Sequence, residues 1–351
     1  MNTADRNPNQ PNAEPHALHP DVAALLDRLS AMAPTAAPAN GAIIAESVAE
    51  MRKTFDELID LLHPSRPPSF DGAIEDFTMP VGDRLIPTRI YHPSAASATD
   101  RVVLFAHGGG WVVGDLDAAD PHVRRIATHL GAVVVSIDYR MAPGHPFPAG
   151  FDDCVAVHRW VARTWSPSWL GVAGDSAGGN LAAAMAIDAA IHGTQCDAQL
   201  LFYPALDPTM STTSHEQLAT GYLLDRDTMA FYWRAYLSES DGPDKRFTPT
   251  AASDRDLARV APAVITTAGF DPLKDEGRAY AQRLSALGVP VTHVHHPDLI
   301  HGWLDQTDLI PAARDACRNS LDALLAQATP RTTPHDRNKN GTMKTDSTRL
   351  S

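Results

Sequence analysis

The chain has 351 residues, 44% of them apolar, enough to bury the core of one large α/β domain with a smaller appendage. Lysines and arginines number 29 against 42 aspartates and glutamates, and the net charge of −13 argues against a nucleic-acid surface. No basic run is present to hold an anionic membrane, and no stretch approaches the ~20 apolar residues of a membrane helix, so no stable membrane insertion is expected. Cys154, Cys196 and Cys317 are isolated and odd in number, so they suggest neither a metal-ligand pair nor a disulfide framework. Residues 1–11 are polar and Asn/Pro-rich, unlike the basic and apolar start of a signal peptide, and a cytoplasmic address is expected.

Residues 1–16 carry little to bury and are expected to be disordered. Residues 19–32 place Val22, Leu25, Leu26 and Leu29 at helical spacing. After a Pro/Ala break at 34–38, residues 43–62 read as a second amphipathic helix, stopped by His63-Pro64 and by Pro67-Pro68. These helices, within 17–68, precede the first strand and lie outside any sheet repeat, so they are free to cover something. Strand signals then come at 74–79 and 85–91 around a turn at Val81-Gly82-Asp83. Further strands are read at 101–106, at 132–137 after a helix over 121–130, and from Leu170 after a helix over 152–165. The last are at 199–203, 263–267 and 291–295, with a helix over 276–287 and a final helix over 311–327. Eight strands with an antiparallel start and then strand–helix alternation predict a mostly parallel, doubly wound α/β sheet with helices on both faces.

That frame divides the chain into a catalytic unit, 69–204 and 262–329, and an insertion over 205–261. The insertion carries a helix-like run at 227–237 with Phe231, Tyr232, Trp233 and Tyr236. A connection of this length is usually functional, and it is read as a cap shared with the N-terminal helices, although most of its aromatics should simply pack it onto the core. Residues 330–351 are polar and read as a disordered tail.

The organising stretch is Gly174-Asp175-Ser176-Ala177-Gly178, between a short apolar strand and an Ala-rich helix over 181–191. A G-x-S-x-G at a strand-to-helix turn holds its serine in a strained conformation that demands small neighbours. The helix start behind it offers unpaired N–H groups to developing negative charge. A serine alcohol needs a base, normally a histidine oriented by a buried carboxylate. Of 16 histidines, His301 follows the last strand and can reach Ser176 from the loop beyond it. His293, His295 and His296 lie in that strand, where alternation puts the first two on one face; without an acidic or Cys partner they are weak evidence for a metal. Asp271 follows the 263–267 strand and is the candidate acid. Asp298 is its competitor, while Asp275 and Glu276 read as the acidic first turn of the next helix. The order Ser176, Asp271, His301 is that of α/β-hydrolase triads. After the 101–106 strand, His107-Gly108-Gly109-Gly110-Trp111 lets backbone N–H groups approach a ligand. Those of Gly108 and Gly109, with that of Ala177, are the candidate oxyanion donors, each worth about 3–4 kcal/mol of transition-state stabilisation. His107 reads as a residue that fixes the loop.

These segments resemble the hormone-sensitive-lipase-like, or GDXG lipolytic, family of α/β-hydrolases. The resemblance rests on His107-Gly108-Gly109-Gly110-Trp111, the stretch from Asp138-Tyr139-Arg140 to Phe147-Pro148-Ala149, Gly174-Asp175-Ser176-Ala177-Gly178-Gly179-Asn180, Asp271-Pro272-Leu273 and His301-Gly302. It implies an α/β-hydrolase fold with a helical cap and a cofactor-free, metal-free carboxylesterase for short- to medium-chain acyl esters. Ser176 would be the nucleophile, Asp271 the acid and His301 the base; relatives are often homodimers. Two departures are visible. Gly144 stands where the family commonly has Glu, which leaves local stability or cap contacts open. Trp303 stands where it usually has Phe, which would bear on the pocket wall. An amidase would share the machinery, a hormone receptor of this fold would have lost catalytic residues, and a lyase of this group typically carries Thr at the Ser176 position.

Overall fold

The computed structural model describes residues 17–31, 45–64, 69–94, 101–237 and 242–327. The expected disordered ends, the break at 34–38 and the Pro67-Pro68 stop lie outside them. Two helices come first, α1 (Pro20–Ala31) and α2 (Ala45–Leu62), and then the hairpin of β1 (Gly72–Val81) and β2 (Arg84–Pro93). Alternation follows: β3 (Arg101–Ala106), α3 (Leu116–Leu130), β4 (Val133–Ile137), α4 (Ala149–Thr164), β5 (Trp169–Asp175), α5 (Ala177–His192) and β6 (Ala198–Phe202). Three short helices, α6 (Thr213–Gln217), α7 (Arg226–Tyr236) and α8 (Asp254–Leu257), precede β7 (Ala263–Phe270), α9 (Lys274–Ala286), β8 (Val291–Ile300) and α10 (Pro311–Gln327).

The eight strands form one sheet in the order β1-β2-β4-β3-β5-β6-β7-β8. β1–β2 and β2–β4 pair antiparallel and the rest parallel. Burial on both faces explains the unbroken apolar strands. Val102, Leu104 and Ala106 of β3 enter the core with α4, α5 and α9, whereas Val103 and Phe105 enter the core with α1, α3 and α10. This is the α/β-hydrolase fold, and it sets the ends of β3, β5, β7 and β8 along one edge of the sheet.

The largest shifts from the sequence reading are in α3, β8 and α5. Pro121, which marks a helix start because proline favours the first turn, lies inside α3 instead. Asp115 starts that helix, its Oδ1 accepting from the N–H groups of Asp117 (2.9 Å) and Ala118 (2.8 Å). β8 runs on past His295 to Ile300 through an irregularity opposite Ala268 and Phe270, so His301 comes directly off a strand end. α5 starts at Ala177, immediately after the serine.

Candidate active site

Ser176 has φ +52° and ψ −116°, a left-handed turn that costs a non-glycine residue about 1–3 kcal/mol. Its surroundings enforce the turn. A β-carbon at Gly174 would strike the Gly178 carbonyl, and one at Gly178 would strike the Ala106 carbonyl, so both flanks must be small. The Ser176 N–H donates to the Phe202 carbonyl (2.9 Å), and its own carbonyl accepts from Ala205 (3.2 Å) and Asn180 (3.1 Å). Asn180 Nδ2 in turn donates to the carbonyls of Ala205 and Phe247, both at 2.7 Å, tying the segment after β6 to the turn.

The Ser176 hydroxyl donates to His301 Nε2 at 2.9 Å, and His301 Nδ1–H donates to Asp271 Oδ2 at 2.9 Å. Asp271 is 0% exposed, and its Oδ1 accepts from the Leu273 N–H at 2.8 Å. A carboxylate facing Nδ1 fixes the tautomer that leaves Nε2 free to accept a proton. Tyr203, absent from the sequence reading as a site residue, packs its ring edge-on at 4.8 Å against His301 and accepts from Leu304 N–H (3.3 Å), which buttresses the His301 ring. Asp298 is not a partner of His301; its carbonyl accepts from the His19 N–H. His293 and His295 share a face, both at 2.9 Å from Thr267 Oγ1, and His296 is buried against Trp303. Among the described residues no group of three or more His, Cys, Asp or Glu side chains is placed to hold a metal ion.

Asp275 and Glu276 do stand in the first turn of α9, but they are more than dipole partners. Glu276 is buried, accepting from the Leu206 N–H (2.6 Å) and facing His215 Nε2 (3.0 Å), while Asp275 accepts from the Ser214 N–H (3.0 Å). Together they anchor the start of the 205–261 segment to the helix behind Asp271.

In the glycine loop, His107 has the expected fixing role. Its Nδ1 donates to the Gly108 carbonyl (2.7 Å), and its ring stacks at 4.4 Å on Tyr139, whose hydroxyl donates to the His107 carbonyl. Gly109 (φ +101°) and Gly110 (φ +59°) need left-handed backbone, and the Gly109 carbonyl takes the N–H groups of Val112 and Val113. Among the described residues no acceptor faces the Gly109 or Gly110 N–H. Gly108 differs: a β-carbon there would strike the Asp175 carboxylate. Burial pushes the Asp175 carboxyl up to about 6, opposed by His301 and by the N–H groups of Gly108 and of Asp175 itself. Asp175 escapes a sequence reading because, next to Ser176, it passes for part of the turn.

A cavity of about 160 Å³ opens beside Ser176 and His301. Phe55, Leu58, Ile59 and Leu62 of α2 line one side, and Leu224, Met229 and Tyr232 of the 205–261 segment line another. Tyr232 also lies over the oxyanion loop, since a β-carbon on Gly110 would meet its ring. The other aromatics of α7 pack: Phe231 is buried, and Trp233 and Tyr236 each lie 4.4 Å from Trp111. α2 is tethered from its exposed side too, by Arg52 Nε donating to the Val112 carbonyl (2.9 Å). Neither family departure reaches the cavity. Trp303 is buried against Phe202, Tyr203 and His296, behind His301 rather than in the pocket wall. Gly144 sits in an exposed turn where a β-carbon would meet only the Met141 carbonyl, at 3.8 Å.

A family model for the alpha/beta hydrolase fold matches residues 103–305. The chain is 37% identical over 321 residues to the carboxylesterase NlhH of Mycobacterium tuberculosis, covering 89% of this chain and 98% of that protein. It is 30% identical over 321 residues to the ethyl acetate hydrolase of Pseudomonas putida, covering 88% and 98%. Among solved structures, the hyperthermophilic esterase from the archaeon Pyrobaculum calidifontis superposes with a TM-score of 0.81 at 33% identity, covering 89% of this chain and 100% of that one. With these likenesses running nearly end to end, the chain belongs to the hormone-sensitive-lipase-like family of α/β-hydrolases and is a serine carboxylic ester hydrolase.

Proposed function

We propose that Ser176, His301 and Asp271 carry the hydrolysis through an acyl-serine intermediate. Ser176 Oγ attacks the ester carbonyl as His301 Nε2 takes its proton, and Asp271 stabilises the imidazolium. His301 then protonates the departing alcohol. Water, deprotonated by the same nitrogen, releases the acid and restores Ser176. The observation that carries this reading is the unbroken Ser176–His301–Asp271 hydrogen-bond chain, 2.9 Å at each link. For the oxyanion we retain Gly109 and Ala177 from the sequence reading but favour Gly110 over Gly108, because the Asp175 carboxylate packs against Gly108. Ala177 opens α5, so its N–H has no intrahelical acceptor.

The substrate side of the proposal is a small ester. An apolar cavity of about 150 Å³ holds a benzene-sized group, so 160 Å³ suits short- to medium-chain acyl esters. We read residues 17–68 and 205–261 as the cap, supported by the cavity residues that α2 and α7 contribute. Among the described residues no helix is long and apolar enough to cross a membrane. A cytoplasmic address is part of the proposal, supported by the three cysteines forming no disulfide among the described residues, and so is a homodimer, which light scattering would test. The functional test is hydrolysis of p-nitrophenyl esters of increasing acyl length by the wild type and by Ser176→Ala. Short-chain activity that vanishes in the variant is expected; activity retained in Ser176→Ala would identify a different nucleophile.

A further inference from the structure

One wall of the cavity is polar, and two of its members, His122 and Asp305, take no part in the hydrolysis. His122, on α3, and Asp305, in the turn after His301, face each other with 3.4 Å between Nδ1 and Oδ1. Both line the cavity, as do His107 and Asp175. His122 is only 3% exposed, His107 2% and Asp175 6%. Yet His122 Nδ1, His107 Nε2 and Asp175 Oδ1 have no hydrogen-bond partner among the described residues. Leaving such an atom unsatisfied costs about 1–3 kcal/mol, and the residues that carry the three all line one cavity. The wall is held in place: the Phe105 ring lies 5.6 Å from that of His122. A β-carbon on Gly302, the neighbour of His301, would stand 3.7 Å from Asp305 Oδ2. The polar wall is therefore within a residue's reach of the base.

The protonation states suggest what the wall would accept. Burial pushes the His122 imidazole down to about 3, with His63, His107 and Arg125 adding to the effect, so it is neutral. Burial and the neighbouring Asp175 push the Asp305 carboxyl well up, which favours its protonated form. A neutral imidazole and a protonated carboxyl each donate and accept. Their complement is a neutral group that does both, a hydroxyl, rather than an ammonium or a carboxylate. The α2 side of the cavity, with Phe55, Leu58, Ile59 and Leu62, remains apolar and suits the hydrocarbon that carries the hydroxyl.

We propose that His122 and Asp305 form a subsite for a hydroxyl group on the substrate, making hydroxy-substituted esters preferred over their plain counterparts. The inference rests on Ser176 as the nucleophile. Sites built to bond a hydroxyl reject the analogue that lacks it, because their own buried groups are then left unpaired.

The test measures kcat and KM on two matched pairs. p-Nitrophenyl 3-hydroxybutyrate against p-nitrophenyl butyrate probes the acyl side, and 2-hydroxyethyl butyrate against ethyl butyrate probes the alcohol side. Wild type, His122→Leu and Asp305→Asn are compared, with Ser176→Ala as control. In at least one pair the wild type should favour the hydroxylated ester by about tenfold in kcat/KM, mainly through KM. His122→Leu should abolish that preference, and the pair that responds identifies the side. Asp305→Asn, isosteric and still able to donate and accept, should keep part of it, and it decides the question by the same ratio if His122→Leu does not fold. Equal ratios in wild type and variants for both pairs would overturn the subsite. If Ser176→Ala is then inactive on all four esters, the nucleophile assignment stands alone; if it retains activity, that assignment has failed first.

Discussion

Asp271→Asn separates orientation of the base from everything else in the site. The amide keeps the shape, and its oxygen can still accept from the Leu273 N–H, a 2.8 Å bond in the parent. The change falls on the other atom, where an NH₂ now faces His301 Nδ1 at the 2.9 Å position of the carboxylate oxygen. That donor forces Nδ1 to become an acceptor and moves the imidazole proton to Nε2. The Nε2–H then points at Ser176 Oγ, 2.9 Å away, and cannot take its proton. The expected loss is about 10⁴ in kcat, or about 5.5 kcal/mol of transition-state stabilisation. One hydrogen bond replaces another, so stability should fall by only about 1 kcal/mol. Stopped-time hydrolysis of p-nitrophenyl butyrate and urea denaturation read the two quantities. Asp298→Asn is the matched control and should change kcat by less than about twofold, since its carboxylate does not touch His301. A folded Asp271→Asn enzyme with kcat within tenfold of wild type, or a larger loss in Asp298→Asn, would refute the orienting role.

Glu276→Ala strips the Leu206 N–H of its acceptor and leaves buried His215 facing a void. It should lower unfolding free energy in urea by about 3–5 kcal/mol, and a loss below 1 kcal/mol would contradict the anchoring role. The Asp175 carboxyl is raised from 3.8 to about 6 by burial, so the folded state binds its proton more tightly than the unfolded chain does. That group's contribution to stability should therefore decline as pH rises from about 4 to about 6. Melting curves of Asp175→Asn should lack this part of the decline; identical pH profiles would count against it. Leu58→Trp, which pushes a larger ring from α2 into the cavity, should cut kcat/KM for the longest ester turned over while sparing the acetate ester. A uniform loss across chain lengths would count against α2 as a wall of the acyl-binding cavity.

Much of the architecture was legible because it is written in contiguous residues. Unbroken apolar runs such as Val102-Val103-Leu104-Phe105 need both sheet faces covered, and they are. Ser176, Asp271 and His301 could be singled out because each follows a strand, and the sheet brings the three within hydrogen-bond reach of one another. What stayed hidden depends on which way a side chain faces. Glu276 looks like an ordinary acidic helix start, and only the packing of the 205–261 segment buries it. Trp303 stands two residues past His301 yet turns inward to the core. Gly108 and Gly110 are indistinguishable in a run of three glycines; the Asp175 carboxylate, coming from another strand end, tells them apart. His122 and Asp305 are isolated residues on different elements, with no spacing that pairs them before the chain folds. Pro121 misled for a local reason, since the cap at Asp115 outweighs the proline as the start of α3.

The most direct measurement of the central claim is covalent trapping with a diethyl p-nitrophenyl phosphate ester, read by intact mass and peptide mapping. One diethylphosphoryl group per chain is expected on Ser176, appearing in step with the loss of esterase activity and absent from Ser176→Ala. An adduct on another residue, or full activity with Ser176 unmodified, would contradict it.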